Sequence, residues 1–233
     1  MALPIQSAPT FFCELPSDGT EVKFRPFLVK EQRNLLLAKE DPSPKEVLQS
    51  VKNLVEVCTF GKVNTTTIPM FDLEFLFLQI RSKSVGETVK INIPCQKDSN
   101  HPSTEVIVNV AEVVVDKSSM VNSTIMISDT IGVVMRYPTI DDSEILGDNT
   151  DDNLFQMMIR CMVRIFDNEE VHEMAETPDS DITEFLDSLT MGQLDKVGEF
   201  FIGVPQLSHK IEYKCSECEE PQTTVLRGLD TFF

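Results

Sequence analysis

The chain opens on two short apolar and polar alternations, in "TFFCELPSDGTEVKFRPF", on either side of Ser17-Asp18-Gly19. A turn-forming centre between alternating runs predicts a two-stranded hairpin. Pro26 ends the second strand, and in the following "LVKEQRNLLLAKE" apolar Leu28, Leu35, Leu36 and Leu37 recur among charges at helical spacing. Asp41-Pro42-Ser43-Pro44 stops that helix and starts another, with Ser43 suited to the N-cap and Pro44 to the first turn. Val47, Leu48, Val51, Leu54, Val55 and Cys58 then share one face. These two helices are expected to pack back on the hairpin.

Beyond the polar "GKVNTTT", the Leu- and Phe-rich "PMFDLEFLFLQIRSKSVG" predicts a buried helix between Pro69 and Gly86. "ETVKINIPC", "TEVIVNVAEVVV" and "IGVVMRYP" carry the β-branched alternation of an antiparallel sheet. "LFQMMIRCMVRIF" is apolar on most of its circumference and predicts a covered helix, on which Met157, Met158, Met162, Ile159 and Phe166 cluster and Arg160 and Arg164 lie one turn apart. Two further helical pieces, "SDITEFLDSLTMGQL" and "LDKVGEFFIGVP", precede a closing strand pair in "HKIEYKCSECEEPQTTVLRGL". The fold class is therefore α+β, with antiparallel hairpins packed against several helices. One domain over 1–233 is expected, with sub-parts 1–88 (hairpin and helices), 89–140 (antiparallel strands), 141–205 (acidic and helical) and 206–233 (C-terminal hairpin).

Charge refines this division. Of the net −18, residues 141–200 contribute 17 acidic against 3 basic side chains, whereas residues 1–140 are nearly balanced at 16 and 14. Such an acidic block repels phosphate backbones and argues against a nucleic-acid partner. No apolar run is long enough to span a membrane, and the N-terminus lacks the pattern of an export signal. Six irregularly spaced cysteines, with Cys13, Cys58 and Cys161 in apolar stretches, point to a reducing intracellular setting.

The remaining cysteines carry candidate chemistry. "KINIPC", a polar loop and a strand resemble "KIEYKC", a second polar loop and a strand, so each is a hairpin with cysteine at its turn. Cys95 with His101 (C-x5-H) facing Cys215 with Cys218 (C-x2-C) would form a zinc-ribbon-like pair of knuckles. The four side chains either hold a structural zinc or form a degenerate site with reduced thiols. A closed four-ligand site would be a staple and not a catalyst.

Enzyme motifs are poorly represented. No dinucleotide or phosphate loop, nucleophile elbow or H-E-x-x-H pair occurs. His172, Glu173 and Glu176 in "VHEMAE" read as a solvated face. "DDSEILGDNTDD" holds six carboxylates in twelve positions without the spacing of a calcium loop. Interaction features are richer: 15 Phe and 10 Met stand against no Trp and 2 Tyr. Arg25, Lys30 and Arg33 flank the strand-to-helix joint, and Phe232 and Phe233 end the chain as ready anchors for a neighbour.

"MALPIQSAPTFF", "FRPFLVKEQRNLLLAKE" (Phe24 to Glu40), "FLFLQIRSKSVGE" (Phe75 to Glu87), the late C-x2-C and the ending "GLDTFF" together resemble the baseplate hub protein family of T-even-like contractile-tailed bacteriophages, in order from first residue to last. The resemblance implies a non-enzymatic structural or assembly protein of the tail baseplate hub. It would bind other hub and tail proteins, and be assembled in the host bacterial cytoplasm and located in the virion tail. An envelope-directed hydrolase at the tail tip is the alternative.

Overall fold

The computed structural model describes residues 7–40, 44–118, 120, 122–142 and 151–228. The chain divides into two compact units: one takes the residues up to Asp116 and those from Gln206 onward, the other Lys117–Pro205. The second is thus inserted into the first along the sequence. Helices and antiparallel sheets make both parts of an α+β protein, as the sequence pattern requires. Among the described residues no helix is long and apolar enough to cross a membrane.

The first unit starts with the hairpin β1 (Phe11–Glu14) and β2 (Glu21–Phe24), in which Phe11 lies opposite Phe24 and Cys13 opposite Val22. Its turn needs a left-handed residue, and Gly19 adopts φ 75° without a Cβ clash. α1 (Val29–Glu40), α2 (Pro44–Cys58) and α3 (Met70–Ser84) follow. Ser43, the expected cap of α2, lies outside the described residues; the buried stripe Val51, Leu54, Val55 and Cys58 is the one its spacing predicts.

α3 has no single stripe. Phe71, Leu73, Leu76, Phe77, Leu78 and Ile80 are all buried, so the helix is covered on nearly every side. Asp72 in its first turn is fully buried too. Its Oδ1 accepts from the Ser17 backbone N–H at 3.0 Å and its Oδ2 from the Ser17 hydroxyl. A buried carboxylate persists where protein donors replace its water, so this contact fastens the hairpin turn to α3. The joint after β2 is fastened as well, by Arg25 N–H to the Cys58 carbonyl (3.0 Å) and Phe27 N–H to Ser84 Oγ (2.9 Å).

β3 (Thr88–Ile93) and β4 (Thr104–Asn109) form an antiparallel ladder with Thr88 opposite Asn109 and Ile93 opposite Thr104. The apolar run after Thr104, expected as one strand, is divided by a 3₁₀ turn at Val110–Glu112, where the Asn109 side chain accepts from the Ala111 N–H. Only β5 (Val114–Asp116) resumes the strand.

The inserted unit is a four-stranded antiparallel sheet, β6 (Thr124–Met126), β7 (Gly132–Met135), β8 (Met162–Phe166) and β9 (Val171–Glu173) in spatial order, with α4 (Asp151–Cys161), α5 (Asp179–Asp187) and α6 (Met191–Ile202). Here two expectations are corrected. "LFQMMIRCMVRIF" is not one helix: α4 stops at Cys161 and the chain continues as β8. From Met162 the chain suits a strand because Val163 and Ile165 are β-branched, and a shift of register beside Val134 and Met135 lets Met162 and Ile165 both be buried although an odd number of positions separates them. β8 lies on β7 with Val133 opposite Ile165 and Gly132 opposite Phe166. A Cβ at Gly132 would fall 2.2 Å from Phe166 Cζ, so the ring occupies the space the glycine leaves. Arg160 and Arg164 therefore share no helix, and Arg164 Nε instead faces Glu173 Oε1 across the β8 and β9 ladder at 3.4 Å.

The second correction is at Thr190. The two late helical pieces divide there and not within "GQLD", because Gln193 Oε1 accepts from both the Thr190 N–H and its hydroxyl at 2.9 Å, fixing the start of α6. The unit's core joins Met157, Met158 and Cys161 of α4 with Val133, Ile165, Leu186, Val197 and Phe200. The chain then returns to the first unit as β10 (Gln206–Lys214) and β11 (Pro221–Arg227), with β10 between β11 and β5.

Most of the acidic stretch after Ile140 lies outside the described residues, but Asp142 is buried and internally engaged. Arg136 donates to both its oxygens (2.6 and 3.1 Å), and the Thr139 N–H and hydroxyl add bonds of 2.8 and 2.9 Å. Burial opposes its ionisation most strongly, yet the bonds from Arg136 and Thr139 outweigh it and leave the carboxyl below its ordinary value. A depressed carboxyl stabilises the fold above its unfolded value of about 3.9 and loses that contribution as pH falls through the folded one. Asp142→Asn is expected to cost about 2 kcal/mol at neutral pH. In urea unfolding followed against pH, the gap to the parent chain should close below about pH 4.

Candidate metal centre

The two knuckles expected from sequence do converge. Cys95 follows β3, His101 lies in the loop before β4, and Cys215 and Cys218 occupy the turn between β10 and β11. The four candidate ligand atoms lie within 4.8 Å of one another, and the group could hold a metal ion. Tetrahedral zinc with sulfur arms of about 2.3 Å has edges near 3.8 Å, so little contraction would close the cluster. Three sulfurs and an imidazole nitrogen are the donor set of a structural site, and four protein ligands leave no position open for a substrate.

Local chemistry explains how His101 reaches the cysteines despite its long spacing. The Asn100 N–H donates to Asp98 Oδ1 (2.9 Å) and the His101 N–H to the Asp98 carbonyl (3.2 Å), curling the loop back. His101 Nδ1 then lies 3.7 Å from Cys215 Sγ, and Nε2 lies 3.7 Å from Asp98 Oδ2. One ring nitrogen faces the sulfurs and the other a carboxylate, the arrangement that orients histidine ligands in metal sites. In the other knuckle, the Glu219 N–H donates to the Cys215 carbonyl at 3.0 Å, and Glu219 adopts φ 55° to close the turn.

A residue that sequence reasoning missed joins the two halves. Gln222, buried on β11, donates from Nε2 to Cys95 Sγ at 3.1 Å and accepts at Oε1 from the Gln96 N–H at 2.8 Å. The hydroxyl of Tyr213, opposite Gln222 in the β10 and β11 register, lies 2.9 Å from both Gln222 Oε1 and the Pro94 carbonyl. The Ser216 N–H donates to Thr104 Oγ1 at 3.0 Å, and Lys97 pairs with Glu220 on the surface. The available signal was a glutamine at an inward position of an alternating strand.

These contacts set the protonation of the cluster. Hydrogen bonding from Gln222 and from the Asp98 backbone brings the Cys95 thiol down to about 6, against the effect of burial. The Cys218 and Glu217 backbone N–H groups lower Cys215. Burial first, then the neighbouring sulfurs, push Cys218 up to about 11, and contact with Cys95 and Cys215 raises His101. Negative charge is thus favoured on Cys95 and Cys215 and opposed on Cys218, an opposition that a cation among them would offset.

The residues expected to meet partners fall into three groups. Arg25 is largely covered, with Nη2 3.1 Å from Glu31 Oε1 and Nη1 donating to the Pro26 carbonyl at 2.9 Å. Lys30 and Arg33 are exposed on α1 beside exposed Val29, Leu36 and Leu37. Phe232 and Phe233 lie outside the described residues. His172 stands on β9, with Glu173 next to it on that strand and Glu176 in the following 3₁₀ turn, so the three do not form a helical face.

A family model described as T4 bacteriophage base plate protein matches residues 8–233. Comparison with curated proteins gave no match, and comparison with solved structures gave none either. Gln222→Leu, which keeps the bulk but removes the partners of Cys95, Gln96 and Tyr213, is expected to cost about 2 kcal/mol of stability in urea unfolding. An unchanged midpoint would show that the amide does not hold the knuckles together.

Proposed function

The chain belongs to the T4 bacteriophage base plate protein family, and from that membership we propose that it is a non-enzymatic structural or assembly subunit of the baseplate hub, stapled by one zinc and acting through contacts with other hub and tail proteins. The family match over nearly the whole chain supports a place in the virion tail baseplate, reached by assembly in the host cytoplasm. The observation that carries the zinc is the convergence of Cys95, His101, Cys215 and Cys218 to within 4.8 Å. Its four-donor closure favours a mechanical part over a catalytic one. The acidic 141–200 segment, with 17 acidic and 3 basic residues, favours protein partners over nucleic acid.

For the zinc, elemental analysis of the purified full chain is expected to find one metal per chain. Chelation should lower the melting temperature, and Cys215→Ser should reproduce the fall, because metal binding energy is part of folding energy. Acidification should weaken metal binding, since His101 must be neutral and Cys218 deprotonated to ligate. Absence of stoichiometric metal together with an unmoved melting temperature would contradict the zinc.

For partner binding we assign the exposed face of α1, where Lys30 and Arg33 accompany Val29, Leu36 and Leu37 and suit a tail-protein surface bearing carboxylates. Arg25 is left out of this surface because its guanidinium serves Glu31. Arg33→Glu with Leu36→Asp should leave stability within about 1 kcal/mol and prevent incorporation into tails in a complementation assay. Normal incorporation by a folded double variant would remove α1 as the contact.

A further inference from the structure

In the inserted unit, α4 and α6 line an open groove of about 1160 Å³. α4 contributes Leu154, Phe155 and Met158 to it, and α6 contributes Met191, Phe201 and Ile202. Several of these apolar groups face solvent: Met191 is 71% exposed, Ile202 79% and Leu154 45%. Contiguous exposed apolar surface of this kind marks an interaction site more often than a plain surface. The two methionines that line it, Met158 and Met191, can repack around different apolar shapes.

Gly198 is the second observation. It lies within α6 and lines the groove. A Cβ there would meet only Met158 Cε at 3.5 Å, an ordinary contact, so packing does not demand a glycine. A glycine inside a helix costs stability relative to alanine. What it provides is room, since the groove is wider by the side chain that position lacks.

Charge identifies the occupant. Asp195 and Glu199, exposed and one turn apart on α6, also line the groove, and residues 141–200 carry 17 acidic and only 3 basic side chains. An acidic occupant would meet like charge at both Asp195 and Glu199. We propose that this groove receives an amphipathic helix of a partner protein whose apolar stripe is flanked by Lys or Arg side chains that pair with Asp195 and Glu199. Docking an apolar helical stripe into an apolar groove is a recurrent mode of recognition, and the basic flanks give it orientation and an attractive approach. The surface uses none of the α1 residues or metal ligands, so it stands whether or not those roles hold.

The test uses the full-length protein labelled at methionine methyls and three synthetic peptides: a helical Leu/Lys peptide with leucines at i, i+3, i+4 and i+7, its Leu/Glu counterpart, and a scrambled Leu/Lys sequence. The ordered Leu/Lys peptide is expected to bind and to shift the Met158 and Met191 methyl signals. Gly198→Leu should weaken that binding at least about tenfold by filling the groove, and Asp195→Lys with Glu199→Lys should weaken it similarly, more at low salt than at high. If Gly198→Leu does not fold, Met191→Asp with Ile202→Asp alters two exposed side chains of the same groove and should give the same loss. Equal binding of the Leu/Glu or scrambled peptide, shifts confined to other methionines, or undiminished binding by the groove variants would overturn the proposal. So would self-association of the parent chain that the groove variants abolish, because the occupant would then be a second copy.

Discussion

Three sulfurs and an imidazole brought together from positions as far apart in the chain as Cys95 and Cys218 form the constraint on which the first unit turns. Such a cluster is unfavourable by itself, because charge on Cys95 and Cys215 works against charge on Cys218. The fold supplies part of the compensation through the backbone N–H groups of each knuckle and through the amide of Gln222. A cation would supply the rest. The knuckles thus set three sulfurs, an imidazole and their orienting groups around one point at the turns of β-hairpins.

This arrangement fits the chain's path. Unit one is assembled from both ends of the sequence, with Lys117–Pro205 inserted between them. Loop-closure entropy grows only slowly with length, so a long insertion costs little more than a short one once the closing contacts exist. The closing contacts here are the β5 and β10 pairing of Gln206 with Asp116 and the knuckle network of Gln96, Gln222, Tyr213 and the four ligands. A metal at that position would hold the returning C-terminal hairpin to strands made much earlier in the chain.

The fold was legible wherever local chemistry was decisive. Ser17-Asp18-Gly19 announced its hairpin because only a small, left-handed-tolerant turn fits between those runs, and the α2 stripe followed from spacing alone. The matching cysteine hairpins were readable too, since each half carries its own strand, turn and strand. The α4 to β8 change was not, because an apolar run of that length satisfies both a covered helix and a helix followed by a buried strand, and tertiary pairing with β7 decided it. Thr190 and Gln193 did carry a capping signature, which the stronger apolar phase obscured. Gln222 and Arg25 were hidden for one reason: their roles depend on partners that sequence spacing does not reveal, Cys95 in the other knuckle and Glu31 across the joint.

Hydrogen exchange of the full chain before and after chelation reads whether one metal couples the two knuckles. With such coupling, amides around Cys95–His101 and around Cys215–Cys218 lose protection together on metal removal, while those of Lys117–Pro205 keep theirs. Loss at one knuckle alone, or no loss at either, would contradict it.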